Sequence, residues 1–209
     1  TRLPGKILKT VLGRPLLEYL IERLKRVKLS DEIVIATTVN DTDIPIVELC
    51  ERLGVPYFRG SEDDVLSRYY LAASDHKADV VVRVTSDCPL IDPVVIDSVI
   101  HHFISYAPQY DYVSNVFPRT YPRGMDTEVF SYRGLRQAYE EAAEPEQREH
   151  VTPFFYQNPQ RFLLGNVSDS RNNSQHRWTV DTTEDYELIG RLIEELYPIK
   201  PDFTIDDLL

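Results

Sequence analysis

Two cationic side chains near the beginning of the chain have the spacing of a polyphosphate-binding loop. Arg2 and Lys6 are separated by a short segment in which Pro4 and Gly5 favour an irregular backbone. Side chains at this spacing can contact different oxygens of one polyphosphate. The guanidinium of an arginine offers several N–H donors in one plane, and the ammonium of a lysine offers a compact positive charge. A solvated chain end is the simpler interpretation of these residues taken alone, so both interpretations remain open.

Two acidic residues each follow an apolar segment that is typical of a buried strand. Asp87 comes shortly after 78–84, and Asp181 ends 177–181. Ligands of parallel α/β sheets bind beyond the carboxyl ends of the strands, and two carboxylates there can hold Mg²⁺, which prefers oxygen ligands. Each residue also has a purely structural interpretation, Asp87 as a turn former and Asp181 as part of a helix start.

Other polar residues are candidates for the wall of the same site. Thr37 and Thr38 follow one predicted strand, and Arg59 follows the next. Arg68 lies within a predicted helix, where an ordinary amphipathic face explains it equally well.

A third group of polar residues could bind the hydroxyl groups of a polyol. Asp126 and Glu128 alternate on one face of a short predicted strand, and Arg148 and His150 lie near a predicted helix start. Surface ion pairs worth under about 1 kcal/mol account for the charged residues equally well. His150 beside an acidic neighbour also suggests acid–base chemistry, but a structural histidine is the favoured interpretation.

The distribution of charge argues against a long polyanionic partner. The 209 residues have a formal net charge of −11, yet residues 1–28 contain eight basic and two acidic residues, which leaves −17 for the others. A nucleic acid polymer requires a basic surface that displaces counterions from many phosphates, whereas a small polyanion can bind at one basic end. No apolar run approaches the roughly 20 residues that span a bilayer, so we expect no membrane partner.

Two further patterns narrow the class of protein and the compartment. The glycines never have the spacing of a dinucleotide-binding fingerprint or of a P-loop, and the G-x-S-x-G motif of hydrolases is absent. Cys50 and Cys88 are the only cysteines. So few cysteines are typical of a reduced compartment, and we therefore expect a cytoplasmic protein.

Helical and strand patterns alternate along most of the chain. The predicted helices are 16–27, 46–53, 62–75, 93–105 and a last one ending at Leu196, and the predicted strands are 33–36, 55–58, 78–84, 127–130, 161–167 and 177–181. Gly54 is predicted to end the second helix, and Pro93 to begin the fourth. Strands that are apolar on both faces and alternate with helices indicate an α/β protein with a mainly parallel sheet in a three-layer fold. We expect one domain over 1–209, with an α+β subdomain inserted at 117–165.

Six segments of the chain together resemble a known family. They are T-R-L-P-G-K at 1–6, I-A-T-T at 35–38, F-R-G-S-E-D-D-V-L-S-R-Y-Y at 58–70, T-S-D-C-P-L-I-D at 85–92, R-E-H-V-T-P at 148–153 and R-W-T-V-D-T-T-E-D at 177–185. In this order they resemble the spore-coat polysaccharide biosynthesis protein F branch of the cytidylyltransferases, which is related to CMP-KDO synthetase and CMP-N-acylneuraminate synthetase.

The resemblance implies a nucleotide-diphospho-sugar transferase fold, which is Rossmann-like. It also implies transfer of CMP from CTP to a sugar acid with release of pyrophosphate, and Mg²⁺ as the cofactor. The implied catalytic residues are Arg2, Lys6, Asp87 and Asp181, of which Asp87 and Asp181 bind the metal. The implied nucleotide-binding residues are Arg2, Lys6, Thr37, Thr38, Arg59, Arg68 and Asp87, and the implied sugar-binding residues are Asp126, Glu128, Arg148 and His150.

Three further expectations accompany this resemblance. Members of the family open with a strand and an R-x-x-S stretch that do not precede Thr1 in the sequence as given, so we expect a first strand before it. The proline- and tyrosine-rich segment 117–165 suggests a homodimer contact. Two alternatives stay open: a glycosyltransferase of related fold, disfavoured because Cys88 follows Asp87 where a D-x-D motif is usual, and a non-catalytic nucleotide- or sugar-binding partner.

Overall fold

Helices and strands alternate along the chain in the computed structural model, which describes residues 3–106 and 109–209. The helices are α1 (Leu16–Leu24), α2 (Ile44–Leu53), α3 (Val65–Asp75), α4 (Pro93–Ser105), α5 (Tyr132–Glu141), α6 (Pro145–His150), α7 (Pro153–Tyr156), α8 (Thr183–Leu196) and α9 (Ile205–Leu208). The strands are β1 (Thr10–Val11), β2 (Arg14–Pro15), β3 (Ile35–Thr38), β4 (Tyr57–Gly60), β5 (Val80–Arg83), β6 (Tyr112–Ser114), β7 (Glu128–Ser131) and β8 (Leu164–Asn166). The prediction of an α/β protein is confirmed.

Local sequence signals set several helix boundaries. Gly54 ends α2 in the left-handed conformation, with a φ of 62°, and α4 begins at Pro93, both as predicted. α3 begins at Val65, later than predicted, because the Asp64 side chain accepts a hydrogen bond from the Ser67 N–H and thereby caps the helix.

The strands form mixed sheets. β3 and β4 pair in parallel, with Thr37 opposite Arg59, and β1 and β2 form a short antiparallel pair. The largest sheet has the order β5-β7-β6-β8. Within it β6 and β8 are parallel, whereas β7 is antiparallel to both β5 and β6.

The antiparallel strand β7 is the exception in a sheet whose other three strands run in one direction. The chain passes from β6 to β7 through a loop, without a helix that crosses a face of the sheet, so the next strand returns in the opposite direction. β5, β6 and β8 still run in the same direction, because β5 and β6 are both antiparallel to β7. Their carboxyl ends therefore lie at one edge of the sheet.

The strand predicted over 177–181 does not form. Its residues make one isolated bridge to the preceding loop, although Trp178 and Val180 are buried as the apolar pattern predicted. The reason is tertiary: the Trp178 N–H donates to the Arg123 carbonyl at 2.7 Å, and the Val180 N–H donates to the Asp87 carbonyl at 2.9 Å. The backbone hydrogen bonds of this segment go to two loops instead of a neighbouring strand.

Two hydrophobic clusters cover opposite faces of the large sheet. Val129 packs into a cluster with residues of α1, α2, α4 and α8, whereas its neighbour Phe130 packs into a cluster with residues of α3, α5 and α7. Val113 and Tyr112 of β6 divide between the clusters in the same way. Alternate residues of a strand point to opposite faces, so the fold has three layers, as predicted.

Buried polar side chains attach the last helix to this core. Arg23 of α1 is 3% exposed and donates hydrogen bonds to the Ile91 and Phe203 carbonyls. The Asp92 carboxylate is buried and accepts from the N–H of Val94, at the start of α4, and from the N–H of Ile205, at the start of α9.

Across the two described stretches of the chain, 3–106 and 109–209, no helix combines the length and apolar character needed to cross a membrane. The predicted subdomain at 117–165 contributes β7 and part of β8 to the main sheet. Its predicted part in a dimer contact stays a prediction.

Candidate active site

A lysine and two aspartates that are distant in the sequence meet at one end of the sheet. Lys6 follows Gly5, whose φ of 63° lies in the left-handed region and turns the chain into a short 3-10 turn. The Lys6 Nζ donates to the Asp87 Oδ2 at 3.1 Å and to the Asp181 Oδ1 at 2.7 Å. These two carboxylate oxygens are therefore at most 5.8 Å apart, the sum of the two distances. Arg2, the other predicted phosphate ligand, lies outside the described residues.

The turn after β5 holds Asp87 in place. The Thr85 hydroxyl donates to the Asp87 Oδ1 at 2.5 Å, and the buried Cys88 thiol lies 3.5 Å from the same oxygen. The Asp87 carbonyl accepts the Val180 N–H. This backbone hydrogen bond joins the two acid-bearing segments directly, which explains why the aspartates converge.

Asp181 precedes the N-terminus of α8, where the backbone is fixed by a capping box. Thr182 and Asp185 exchange hydrogen bonds between side chains and backbone, and the Asp185 carboxylate also accepts the Asp181 N–H at 2.9 Å. Arg177 forms an ion pair with Asp181 on the side away from Lys6. The hydrogen bond from Lys6 holds the pKa of Asp181 below its usual value, against the opposing effect of burial and with a further contribution from Arg177.

Lys6 stays protonated in this arrangement. Partial burial alone would lower its pKa, but the hydrogen bond from its ammonium to Asp181 and the charge of Asp87 outweigh burial and raise it. A protonated lysine between two carboxylates marks a position that a cation occupies favourably. The same ammonium can bind phosphate oxygens when an anionic ligand is present.

The donor set of Asp87 and Asp181 fits a divalent cation of the Mg²⁺ type. Both carboxylates contact one positive charge, and carboxylate oxygens are ligands that Mg²⁺ prefers. Within residues 3–106 and 109–209, no group of three or more histidine, cysteine or acidic side chains is arranged to hold a metal. Water and substrate phosphates would have to supply the other ligands, as is usual for Mg²⁺ in nucleotide sites.

The predicted threonines at the end of β3 contact Asp43, an acid that was not among the predicted site residues. Both threonine hydroxyls, Thr37 and Thr38, donate to the Asp43 Oδ2 at 2.7 Å. These hydrogen bonds outweigh the effect of burial and lower the pKa of Asp43. Arg59 donates to the Thr38 and Asn40 carbonyls, each at 2.9 Å, and thereby supports the loop after β3. Only the position of Asp43 shortly after a strand, in a helix start, could have suggested its role.

Arg68 retains donor capacity toward this part of the site. Its Nη1 donates to the Ser61 carbonyl at 2.6 Å, whereas its buried Nε has no hydrogen-bond partner. Burial lowers the pKa of Arg68, although nearby groups that include Asp43 act in the opposite direction. An arginine in this state gains from an added acceptor, and its predicted contact with a nucleotide stays a prediction.

The four predicted sugar-binding residues do not form one cluster. Asp126 accepts two hydrogen bonds from Arg119, at 2.5 and 2.7 Å, and Arg148 instead pairs with Asp64, the cap of α3. His150 is an exposed residue at the end of α6. Arg148 therefore stabilises the contact between two helices, and its predicted role in sugar binding stays a prediction, as does that of His150.

Glu128 lies in a buried network. It is 7% exposed, pairs with Arg83, and accepts a hydrogen bond from the Tyr112 hydroxyl at 2.6 Å. Both carboxylate oxygens are thus bonded to protein groups, so that Glu128 orients Arg83 and Tyr112. Arg119 was not among the predicted site residues, because only the fold brings its acidic partner Asp126 to it.

Fold and site together define an α/β domain in which a lysine and two carboxylates meet near the carboxyl end of β5, the position at which α/β domains bind ligands. The family model for cytidylyltransferases matches residues 1–200. The chain belongs to the cytidylyltransferase family, which confirms the resemblance inferred from the six sequence segments.

Individual relatives agree with this assignment. The chain is 32% identical over 216 residues to the spore coat polysaccharide biosynthesis protein SpsF of Bacillus subtilis, with all of this chain and 88% of that protein covered. A cytidylyltransferase from Leptospira borgpetersenii superposes with a TM-score of 0.94 at 34% identity, over 100% of this chain and 87% of that one. CMP:2-keto-3-deoxy-manno-octonic acid synthetase complexed with CTP gives a TM-score of 0.72 at 18% identity, over 94% and 95% of the two chains, and shows a shared fold.

Proposed function

We propose that this protein transfers the CMP group of CTP to a hydroxyl group of a sugar acid, releases pyrophosphate, and acts in polysaccharide biosynthesis. The observation that carries the proposal is the position of Lys6 between Asp87 and Asp181. Membership of the cytidylyltransferase family supports CTP as the donor. The name of the Bacillus subtilis relative supports polysaccharide biosynthesis, and the shared fold of the octonic acid synthetase supports a sugar acid as acceptor.

The reaction replaces a phosphoanhydride bond of CTP with a phosphoester bond to the sugar. An electron pair of the sugar hydroxyl forms a bond to the α-phosphorus, and the bond from this phosphorus to the oxygen bridging to the β-phosphorus breaks. The electrons of the broken bond stay on pyrophosphate, and the hydroxyl proton leaves to water. Such a displacement depends mainly on positioning and on neutralisation of charge, so a site of fixed charges suits it.

The residues of the site have separate tasks in this proposal. Asp87 and Asp181 would hold Mg²⁺, which neutralises negative charge on phosphate oxygens when bound. Lys6 binds the phosphates that leave as pyrophosphate and stabilises the charge they gain. The capping box at α8 and the Thr85 hydroxyl keep the two carboxylates in place, so little reorganisation accompanies the reaction.

Pyrophosphate release by the full-length protein tests the proposal. The assay combines each of four nucleoside triphosphates with a panel of sugar acids, with Mg²⁺ and with a chelator. We expect release that requires CTP, a sugar acid and Mg²⁺ together. Asp87→Asn and Asp181→Asn should each lower turnover by orders of magnitude at unchanged folding, whereas exposed Asp31→Asn serves as the control.

Near-normal turnover in both site variants would refute the metal assignment, and release that depends on another nucleotide would refute CTP as donor.

We also propose a cytoplasmic homodimer, supported by the scarcity of cysteines and the proline- and tyrosine-rich segment at 117–165. Light scattering on the purified protein tests the dimer, and a monomeric mass would overturn it.

A further inference from the structure

A pocket of about 370 Å³ opens near the carboxyl ends of β6 and β8. Its lining includes Tyr112 and Ser114 of β6, Asn166 of β8, and the rings of Phe117 and Tyr156. Ser114 and Asn166 are the last residues of β6 and β8, which run in the same direction as β5, so this part of the lining lies at the edge of the sheet beyond which Asp87 is found. The volume is near the lower end of the range for small-molecule sites, which suits one monosaccharide better than an oligosaccharide.

The walls of the pocket combine an aromatic surface with a few polar groups. The ring centroids of Phe117 and Tyr156 are 5.1 Å apart, and Phe117 is 56% exposed. Asn166 fixes the loop that bears Phe117, since its Oδ1 accepts the Phe117 N–H at 2.8 Å and its Nδ2 donates to the Pro118 carbonyl at 3.2 Å. Aromatic faces can pack against the C–H surface of a sugar ring, while polar groups such as Ser114 orient its hydroxyls.

Arg119 follows this aromatic wall in the chain. Two of its N–H groups are bound to Asp126, which leaves three of the five guanidinium donors for other acceptors. The Met125 sulfur lies 3.2 Å from the Asp92 nitrogen, so the residue before Asp126 contacts the segment that follows Asp87. Arg119 is two residues from Phe117 in the pocket wall, so the ion pair of Arg119 and Asp126 joins the pocket loop to the part of the chain that packs on this segment.

The other arginines near this part of the sheet are engaged differently. Arg83 pairs with Glu128 inside the fold, and Arg177 pairs with Asp181 itself. Arg119 instead pairs with Asp126, and the two side chains are 19% and 36% exposed. A small anion can bind the remaining N–H groups of the Arg119 guanidinium without displacing Asp126.

We propose that Arg119 is a specificity-determining residue that binds the carboxylate of the acceptor while the sugar ring occupies the pocket lined by Phe117 and Tyr156. Asp126 is a positioning residue, because it holds the guanidinium in one orientation. The inference rests on the proposed function and deepens it: the acceptor is a single monosaccharide acid, selected by its carboxylate.

Steady-state kinetics on the full-length protein test the proposal. The probes are 3-deoxy-manno-octulosonate, N-acetylneuraminate and the carboxamide of each, measured with saturating CTP. We expect Arg119→Met to raise the KM for the acid at least 100-fold, to change the KM for CTP less than twofold, and to abolish the preference for acid over carboxamide. Arg119→Lys keeps the positive charge but loses the paired N–H donors of the guanidinium, so we expect a smaller rise in the KM for the acid, of about tenfold.

Exposed Arg123 in the same loop supplies the matched control, because Arg123→Met removes a guanidinium outside the pocket. Tyr156→Ala should raise the KM for the acid and the carboxamide alike, since it removes ring packing and leaves the carboxylate contact. Circular dichroism establishes whether each variant is folded. If Arg119→Met does not fold, the KM values of Arg119→Lys for the acid and the carboxamide test the proposal.

The outcomes separate the two proposals. Active wild-type protein whose Arg119 variants keep both the KM for the acid and the preference over the carboxamide overturns this inference and leaves the proposed function intact. An equal rise in the KM for CTP and for the acid also overturns it, because Arg119 would then support the site as a whole. Wild-type protein that uses the carboxamide as efficiently as the acid overturns this inference alone. Wild-type protein that releases no pyrophosphate with any acid refutes the sugar acid as acceptor and this inference with it.

Discussion

Replacing Lys6 by methionine should strengthen the binding of a divalent cation to the nucleotide-free protein. Methionine preserves much of the length of the side chain but removes the ammonium that contacts both Asp87 and Asp181. In the unliganded protein a metal ion has to displace this ammonium before it reaches the carboxylates. The lysine that serves catalysis with nucleotide bound therefore competes with the metal when nucleotide is absent.

The magnitude follows from the exposure of the two ion pairs. The side chains of Lys6, Asp87 and Asp181 are 19%, 24% and 36% exposed, so solvent screens both pairs substantially. Exposed pairs contribute about 0.2–1 kcal/mol each, and these two lie at the upper end because of their partial burial, which gives about 2 kcal/mol together. Since each 1.4 kcal/mol corresponds to a factor of ten, Lys6→Met should lower the dissociation constant about 10- to 30-fold.

Titration with Mn²⁺ followed by electron paramagnetic resonance measures this affinity without turnover. The control is Lys9→Met, because the Lys9 ammonium lies 5.4 Å above the Tyr186 ring and not between the carboxylates. We expect tighter Mn²⁺ binding in Lys6→Met only, together with a loss of pyrophosphate release of at least 100-fold. Unchanged or weaker Mn²⁺ binding in folded Lys6→Met would refute the competition and, with it, the view that both aspartates face one cation site.

Three further predictions concern the scaffold. Burial raises the pKa of Cys50 to about 11 and that of Cys88 well above its usual value. At pH 8 both thiols should therefore react with a disulfide reagent at least ~100-fold more slowly in native than in unfolded protein. A thiol that reacts as fast in native as in unfolded protein would contradict this prediction. Gly124 has a φ of 104°, and a Cβ there would lie 2.7 Å from the Trp178 carbonyl oxygen. Gly124→Ala should therefore lower the free energy of unfolding, measured with urea, by about 2–4 kcal/mol. An unchanged free energy would contradict this prediction and show that the loop adapts. Asp92→Ala leaves two N–H groups at helix starts without their acceptor. It should lower the free energy of unfolding by about 2–4 kcal/mol in the same measurement, and a loss under about 0.5 kcal/mol would contradict this prediction.

Features that depend on neighbouring residues were predictable from the sequence. Gly54 ends a helix because a left-handed residue costs little at glycine, and Pro93 begins one because the first helical turn needs no N–H there. The α/β class follows from apolar segments of alternating period, since each period determines which side chains share a face. None of these conclusions requires knowledge of distant parts of the chain.

Pairing partners were less predictable. The apolar pattern of 177–181 correctly indicated burial but wrongly indicated a strand, because the hydrogen-bond partners of Trp178 and Val180 are loops that the pattern does not contain. The direction of β7 likewise depends on the loop before it, which returns the chain to the sheet without a helix that crosses a face of the sheet. Burial is a property of side chains, whereas strand pairing is a property of two backbones.

For the candidate site, the sequence indicated the chemical types of the residues: a lysine in a glycine-containing loop, and aspartates placed after apolar segments. Only the fold places Lys6 between Asp87 and Asp181, which are 81 and 175 positions away from it in the chain. The fold also joins Arg119 to Asp126 and assigns Arg148 to a helix contact. The physical reason is that a charge acts over a few ångströms in space, and only the folded backbone converts separations along the chain into such distances.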